Sequence, residues 1–269
     1  MPRLIGVGDN TVDTYTHLRM RFPGGNALNV AVLAQRYGAQ AAYLGWLGKD
    51  ERGELILNAL RQEGLDVSHC RVVEGAPTAY SEVMLVDGDR VFGKSDHGVC
   101  NLFHLADEDL AYIANFDLAH TSVYSHVEPQ ITELKRASRL LSFDLSQNLD
   151  EAYWRQTLPY VDIAFISLAE VPLEELENRL RQMYAFGPQL IVATRGAQGA
   201  WLFDGYQIYH QGVLPVQVVD TLGAGDAFAA RLLVEYLKGT PLSAAMRRAA
   251  ESAAQNCTQY GAFGYGQAY

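Results

Sequence analysis

Apolar positions in this chain come in two rhythms, and the change from one to the other marks its elements. Residues 4–8 are a continuous apolar run, as expected of a strand buried on both faces, and polar Asp9, Asn10 and Asp13 follow. Residues 14–22 alternate weakly and carry β-formers, which predicts a strand apart from the main sheet. In 23–38, Ala27, Val30, Ala31 and Ala34 recur at helical spacing, and Gly38 ends the helix. Residues 41–47 read as a second buried strand, and 48–68 as a loop, a helix and a turn. Residues 78–86 and 90–95 alternate around Asp87-Gly88, a strong hairpin signal. Helices and strands then take turns. Helices are predicted over 106–115 and 173–185, strands over 117–121, 140–144 and 161–166, and strand 190–194 runs into a tight turn and hairpin. A strand over 216–220 and a long helix over 243–260 complete the pattern. Such alternation predicts one α/β domain over 1–269 with a mostly parallel central sheet. The stretches of about 14–23 and 78–100 supply a second, smaller sheet. No internal repeat or disordered linker interrupts them.

Composition narrows the partners. A length of 269 residues with 49% apolar content suits one large domain with a sizeable core. The net charge is -10, and no Lys/Arg-rich run offers a nucleic-acid surface. Cys70, Cys100 and Cys257 are odd in number and lack metal-ligand spacing, which fits a reducing, cytoplasmic setting. The N-terminus has no basic segment leading into a long apolar one, so no signal peptide is expected. No run reaches the roughly 18–20 apolar residues that span a bilayer, so no membrane partner is expected.

The most distinctive chemistry lies in VDTLGAGDAFAARLL, residues 219–233. Gly223, Ala224 and Gly225 remove the bulk that would keep a ligand off the backbone. The helix that starts there offers unpaired N–H groups and a positive dipole end, together a site for an anion such as phosphate. Asp226 follows at once. A carboxylate beside a phosphate is repelled unless it takes a proton from the hydroxyl that attacks it. The plainer alternative makes Asp226 a helix cap and the glycines a tight turn. GVGDNT near the N-terminus lacks the third glycine of a dinucleotide fingerprint.

The string DTLGAGDAF resembles the C-terminal signature DTxGAGDxF of the PfkB (ribokinase-like) family of sugar and nucleoside kinases. GGNALNVAVLAQRYG resembles the N-terminal signature of that family. The resemblance implies a three-layer α/β/α sandwich whose small β-sheet is a lid over the sugar and often a homodimer contact. It implies Asp226 as catalytic base and Gly223, Ala224 and Gly225 as the anion hole. It also implies Gly25 and Asn29 against the sugar, Asp13 on two of its hydroxyls, and Asp9 as a plausible second acid. Thr194, Gly196 and Gly199 resemble the TxGxxG element that lines the ATP phosphates, with Thr221 beside them. Asp50 and Gly53 match a further family pattern, or simply cap a helix. Arg90, Phe92 and Tyr80 are candidates to face the substrate, and Arg90 is equally a candidate solvated edge charge. Arg195 steers phosphate or faces solvent, and His126 is a weaker substrate candidate than structural residue.

Two departures stand out. The NxxE element that positions Mg2+ through water reads Ser167-Leu168-Ala169-Glu170, so only Glu170 carries over. The stretch from Asp144 to Asn148 lacks the arginine of acid-sugar kinases, which argues against a keto-acid sugar. Gly261 and Ala262 match the adenine and monovalent-cation end, so K+ joins ATP and Mg2+ among the expected cofactors. GDNTVDTY, FPGGNALNVAV, DGDRVFG and DTLGAGDAF look most like the fructoselysine 6-kinase group. That resemblance implies ATP-dependent transfer to the 6-hydroxyl of a fructosyl-amine. A fructokinase-like or nucleoside kinase is the alternative, and a non-catalytic sensor is further off.

Overall fold

The structure is a computed structural model that describes residues 1–86 and 89–269, the side chains of 85, 86 and 89–92 excepted. The chain starts with β1 (Arg3–Val7), a hairpin of β2 (Thr11–Tyr15) and β3 (Met20–Gly24), and α1 (Asn26–Arg36). It continues with β4 (Gln40–Leu44), β5 (Trp46–Gly48), α2 (Glu51–Gln62), β6 (Arg71–Val73), β7 (Tyr80–Val86) and β8 (Asp89–Asp96). Next come α3 (Asp107–Ile113), β9 (Leu118–Ser122), α4 (Ile131–Ala137), β10 (Leu141–Asp144), α5 (Glu151–Thr157) and β11 (Ile163–Ser167). The last part holds α6 (Leu173–Tyr184), β12 (Leu190–Thr194), β13 (Ala200–Phe203), β14 (Ile208–Gln211), α7 (Ala224–Leu237), α8 (Leu242–Asn256) and β15 (Gln267–Ala268).

The central sheet runs β14-β13-β12-β11-β10-β9-β1-β4. The six strands from β12 to β4 are parallel, and β13 and β14 add an antiparallel hairpin at one edge. Alternate side chains of each strand enter different cores. Leu4, Tyr43, Phe165 and Val192 pack under α1, α2, α7 and α8. Ile5, Leu44, Ile166 and Ile191 pack under α3 to α6, around the fully buried Trp154. Burial on both faces explains why these strands read as unbroken apolar runs. The result is the expected three-layer α/β/α sandwich with a smaller second sheet. β1 lies between β4 and β9, so the strand order reverses there, and ligand crevices open at the carboxyl ends beside such a reversal.

The second sheet runs β15-β3-β2-β7-β8, and its contributing segments differ from expectation. Residues 14–22 form parts of two strands, because the chain turns over at Thr16–Arg19 with Arg19 at a left-handed φ of 50°. The C-terminal β15 adds an edge the sequence did not announce. The Asp87-Gly88 turn lies outside the described residues. Residues 41–47 also split, since Gly45 is held so close to the Tyr43 hydroxyl that a Cβ would collide with it. β5 then leaves the central sheet to pair with β6. The strand predicted over 216–220 is absent. Val218 is 58% exposed, and the Val219 and Asp220 amides donate to the Cys257 carbonyl instead of a neighbouring strand. The last long helix stops at Asn256. Among the described residues no helix is long and apolar enough to cross a membrane.

Candidate active site

The site is built on the first turn of α7. Gly223 precedes it at φ 77°, ψ 0°, and an added Cβ would lie 2.5 Å from the Ala262 Cβ. The loop before it is stapled from several sides. One Asp220 oxygen accepts from the Leu222 amide at 2.9 Å. The other accepts from the Gly261 amide at 3.0 Å and from the Tyr15 hydroxyl on β2. The Asn256 amide donates to the Leu222 carbonyl at 2.9 Å. The second sheet and the C-terminal segment are thereby bonded to one buried carboxylate. Tyr15→Phe removes one donor from it. The expected cost is about 1.5–3 kcal/mol, the usual range for a hydrogen bond to a charged group, read as a lower thermal midpoint. An unchanged midpoint would show that the tyrosine hydroxyl is dispensable.

The α7 start leaves the Gly225 and Asp226 amides in a first turn without helical acceptors. Apart from its own turn of helix, nothing lies within 4 Å of a Cβ built on exposed Gly225, so the space beside this turn is open. Thr221 is exposed beside them. Asp226 is half-buried where α7 packs on α1. Asn26 and Asn29 are three residues apart on α1 and so share a face. The Asn29 Nδ2 donates to Asp226 Oδ2 at 2.6 Å, and the Asn26 Nδ2 donates to Asp226 Oδ1 at 2.8 Å. Asn26 Nδ2 also donates to Asp144 Oδ2 at 2.9 Å, from the end of β10. Burial raises the Asp226 pKa to about 7; the two asparagine bonds oppose the rise, and Asp144 and Asp9 add to it. Burial pushes Asp144 upward as well.

Asp9, just past β1, is 5% exposed. Its Oδ1 accepts from Ser122 Oγ at 2.7 Å, Ser125 Oγ at 2.8 Å and the Ala27 amide at 3.2 Å. It therefore ties the ends of β1 and β9 to the start of α1. Asp13 lies on β2, buried, with Gly24 directly against its carboxylate. Gly25 caps α1 at φ 109°, and a Cβ there would collide with the Asn10 backbone. Its freedom is thus needed for packing within the chain.

Other expected residues lie farther along the carboxyl edge. Thr194 ends β12, and Gly196 and Gly199 follow at φ 53° and 98° in the turn before β13. A Cβ on Gly199 would collide with the Gln211 carbonyl, whereas the space at Gly196 is open. Glu170 is exposed in the turn after β11. Arg195 does not face solvent, and it forms no ion pair among the described residues. It is 4% exposed, donates to Gln198 at 2.9 Å and lies over the Trp201 ring. His126 is exposed at φ 54° with its ring against His97. Asp50 caps α2 and accepts from Thr78, so the capping alternative describes it. The side chains of Arg90 and Phe92 lie outside the described residues, and Tyr80 stacks under Arg52.

Sequence reasoning missed Asp144, Asn26 as a bridge, and His120. The usable signal for His120 was a polar side chain inside the buried strand LAHTS, where it requires hydrogen-bond partners.

A family profile described as pfkB family carbohydrate kinase matches residues 7–264. A fructosamine kinase of Bacillus subtilis is 39% identical over 270 residues, covering 99% of this chain and 95% of that one. A fructoselysine 6-kinase of Escherichia coli is 37% identical over 263 residues, covering 98% and 100%. The ribokinase of Arabidopsis thaliana, solved with ribose and ATP, superposes with a TM-score of 0.83 over 97% of this chain and 94% of its own, at 22% identity. The chain belongs to the pfkB family of carbohydrate kinases.

Proposed function

We propose that this carbohydrate kinase transfers the γ-phosphoryl group of ATP to the 6-hydroxyl of a fructosyl-amine, with Asp226 as general base. The observation that carries the reading is a carboxylate with a pKa of about 7, held by two amide donors beside an open, glycine-lined helix start. As the sugar oxygen attacks phosphorus, its proton passes to Asp226. The free amides of the α7 first turn hold the charge that develops on the phosphoryl oxygens. Asn29 and Asn26 fix both base oxygens, so the carboxylate meets the hydroxyl in one orientation. Thr194, Gly196, Gly199 and Thr221 are assigned to the nucleotide phosphates. Asp13, Gly25 and Asn29 are assigned to the sugar, with Asp9 behind them. The small sheet is assigned as lid and homodimer contact, and its bond from Tyr15 to Asp220 supports the lid.

The fructosyl-amine is favoured by two observations. The two relatives quoted above are named for fructosamine and fructoselysine. Asp9, Asp144 and Asp226 also act on one another electrostatically with no Lys or Arg paired to them among the described residues. An acceptor that brings an ammonium group offsets that charge, as a neutral hexose does not. Fructokinase-like activity remains the second reading.

Among the described residues no three His, Cys, Asp or Glu side chains converge as a metal cage. Mg2+ commonly binds through one carboxylate, water and substrate phosphates, and exposed Glu170 fits that donor set. The ion would offset phosphate charge during transfer. At the Gly261–Ala262 end, assigned to K+, both Asp220 oxygens accept hydrogen bonds. Three free cysteines suit a cytoplasmic setting.

The deciding experiment is coupled ADP detection with fructoselysine, fructose and a nucleoside. Fructoselysine is expected to give the highest kcat/KM, and an equal or better fructose would overturn the acceptor assignment. The base also sets a pH dependence. Only ionised Asp226 accepts a proton, so kcat/KM is expected to fall as pH drops through about 7. A profile flat across neutrality would remove Asp226 from that position.

A further inference from the structure

His120 is fully buried on β9, between Gly6 of β1 and Ser142 of β10. Its Nε2 lies 2.9 Å from Asn26 Oδ1 and its Nδ1 lies 3.0 Å from Ser142 Oγ. The tautomer follows from the far end of this chain. Both hydrogens of the Asn26 amide go to carboxylates, one to Asp226 and one to Asp144. Asn26 Oδ1 is therefore the acceptor toward the ring, and His120 Nε2 carries the proton. Nδ1 is then bare and accepts from the Ser142 hydroxyl. With Nδ1 protonated instead, Nε2 would be an acceptor and would favour a flipped Asn26, whose carbonyl would face two carboxylates. Burial pushes the imidazole pKa down to about 3, so the ring stays neutral throughout the working range.

We propose that His120, with its tautomer fixed by Ser142, is a positioning residue for phosphoryl transfer: it holds the Asn26 amide in the orientation that joins Asp226 to Asp144. This rests on Asp226 being the base. The groups bearing on Asp226 are Asp144 from β10, Asp9 past β1, Tyr124 past β9 and the neutral Asn26 and Asn29 from α1. Only the asparagines among them favour the ionised carboxylate. Releasing Asn26 thus leaves burial and two like charges less opposed, and the base becomes harder to ionise.

The test compares His120→Phe, His120→Gln, Ser142→Ala, Asn26→Ala and the His120→Phe/Asn26→Ala double variant with the wild type, using fructoselysine and ATP. His120→Phe is expected to lower kcat about tenfold and move the acid limb of kcat/KM up by about one pH unit, the scale of one hydrogen bond to a charged group. KM for ATP stays unchanged. His120→Gln keeps an N–H donor and recovers most of the rate. The double variant is no worse than Asn26→Ala, because both changes break the same chain. A folded His120→Phe with an unmoved limb, or losses that multiply in the double variant, would overturn the proposal. Should His120→Phe fail to fold, Ser142→Ala carries the test with almost no change in volume, and an unmoved limb there also overturns it. Nitrogen-15 NMR of the ring reads the tautomer without activity: neutral Nε2–H supports the chain, and Nδ1–H refutes it. A wild type that releases no ADP with any sugar would sink the kinase reading itself and leave the ring signal intact.

Discussion

Asp226→Asn is expected to abolish phosphoryl transfer in a protein that still folds and still binds its sugar. A positioned general base contributes about 10²–10⁴ in rate, and an amide cannot take the hydroxyl proton, so kcat should fall by at least the lower figure. The side chain keeps its shape, and the sugar contacts assigned to Asp13 and Asn29 remain. One local contact changes: the new NH2 meets Asn29, which must turn its otherwise unpartnered Oδ1 inward to accept, whereas Asn26 is held as a donor by Asp144 and His120. Removal of a charge offsets this. The wild-type carboxyl has its pKa raised to about 7, above the ordinary value of 3.8. Ionising it is therefore easier in the unfolded chain, and the wild type loses stability as pH rises from the ordinary carboxylate range toward 7. The variant has no such loss, so above neutrality its thermal midpoint should match or exceed that of the wild type. Coupled ADP release, calorimetric titration with sugar and thermal unfolding at two pH values make the comparison. Near-normal turnover would refute the base, and lost sugar binding would show that the carboxylate serves the substrate rather than the proton.

What could be read from the sequence follows from where the information is local. Buried parallel strands announce themselves as apolar runs such as 163–167, and amphipathic α6 as a stripe of Leu176, Leu180 and Met183. Strandedness without a partner cannot be seen in one segment. Residues 216–220 look like a strand, yet their amides go to the Cys257 carbonyl, nearly 40 residues on. The β2–β3 turn lacks glycine and proline, so 14–22 reads as one strand. In the site, motif strings pointed to Asp226 and Asn29. The bridge through Asn26 joins segments separated by 118 and 200 residues, and no local pattern encodes that. The sequence places Asp9 as a second acid toward the ligand, and three donors on its Oδ1 show that it also holds the strand ends together.

Gly223 and Gly225 should respond to substitution in opposite ways in stability and in the same way in catalysis. Gly223 sits at φ 77°, where an L side chain costs about 1–2 kcal/mol. A Cβ would also press on Ala262 at 2.5 Å and approach the Asn256 amide at 3.3 Å, the group that holds the Leu222 carbonyl. Gly223→Ala must therefore shift the loop, and its thermal midpoint should drop by several degrees. Gly225 lies inside the helix at ordinary φ with nothing within 4 Å of its Cβ. Leucine is the better helix former by roughly 0.5–1 kcal/mol, so Gly225→Leu should be as stable as the wild type or more so. Its side chain would nevertheless stand over the amides assigned to the phosphoryl group. Losing such donors costs about 10²–10³ in kcat, and both variants should lose at least that much, Gly223→Ala by moving the amides and Gly225→Leu by covering them. Full turnover in Gly225→Leu would mean that the phosphoryl group travels elsewhere. A stable, active Gly223→Ala would mean that the left-handed turn is not what aims the helix start.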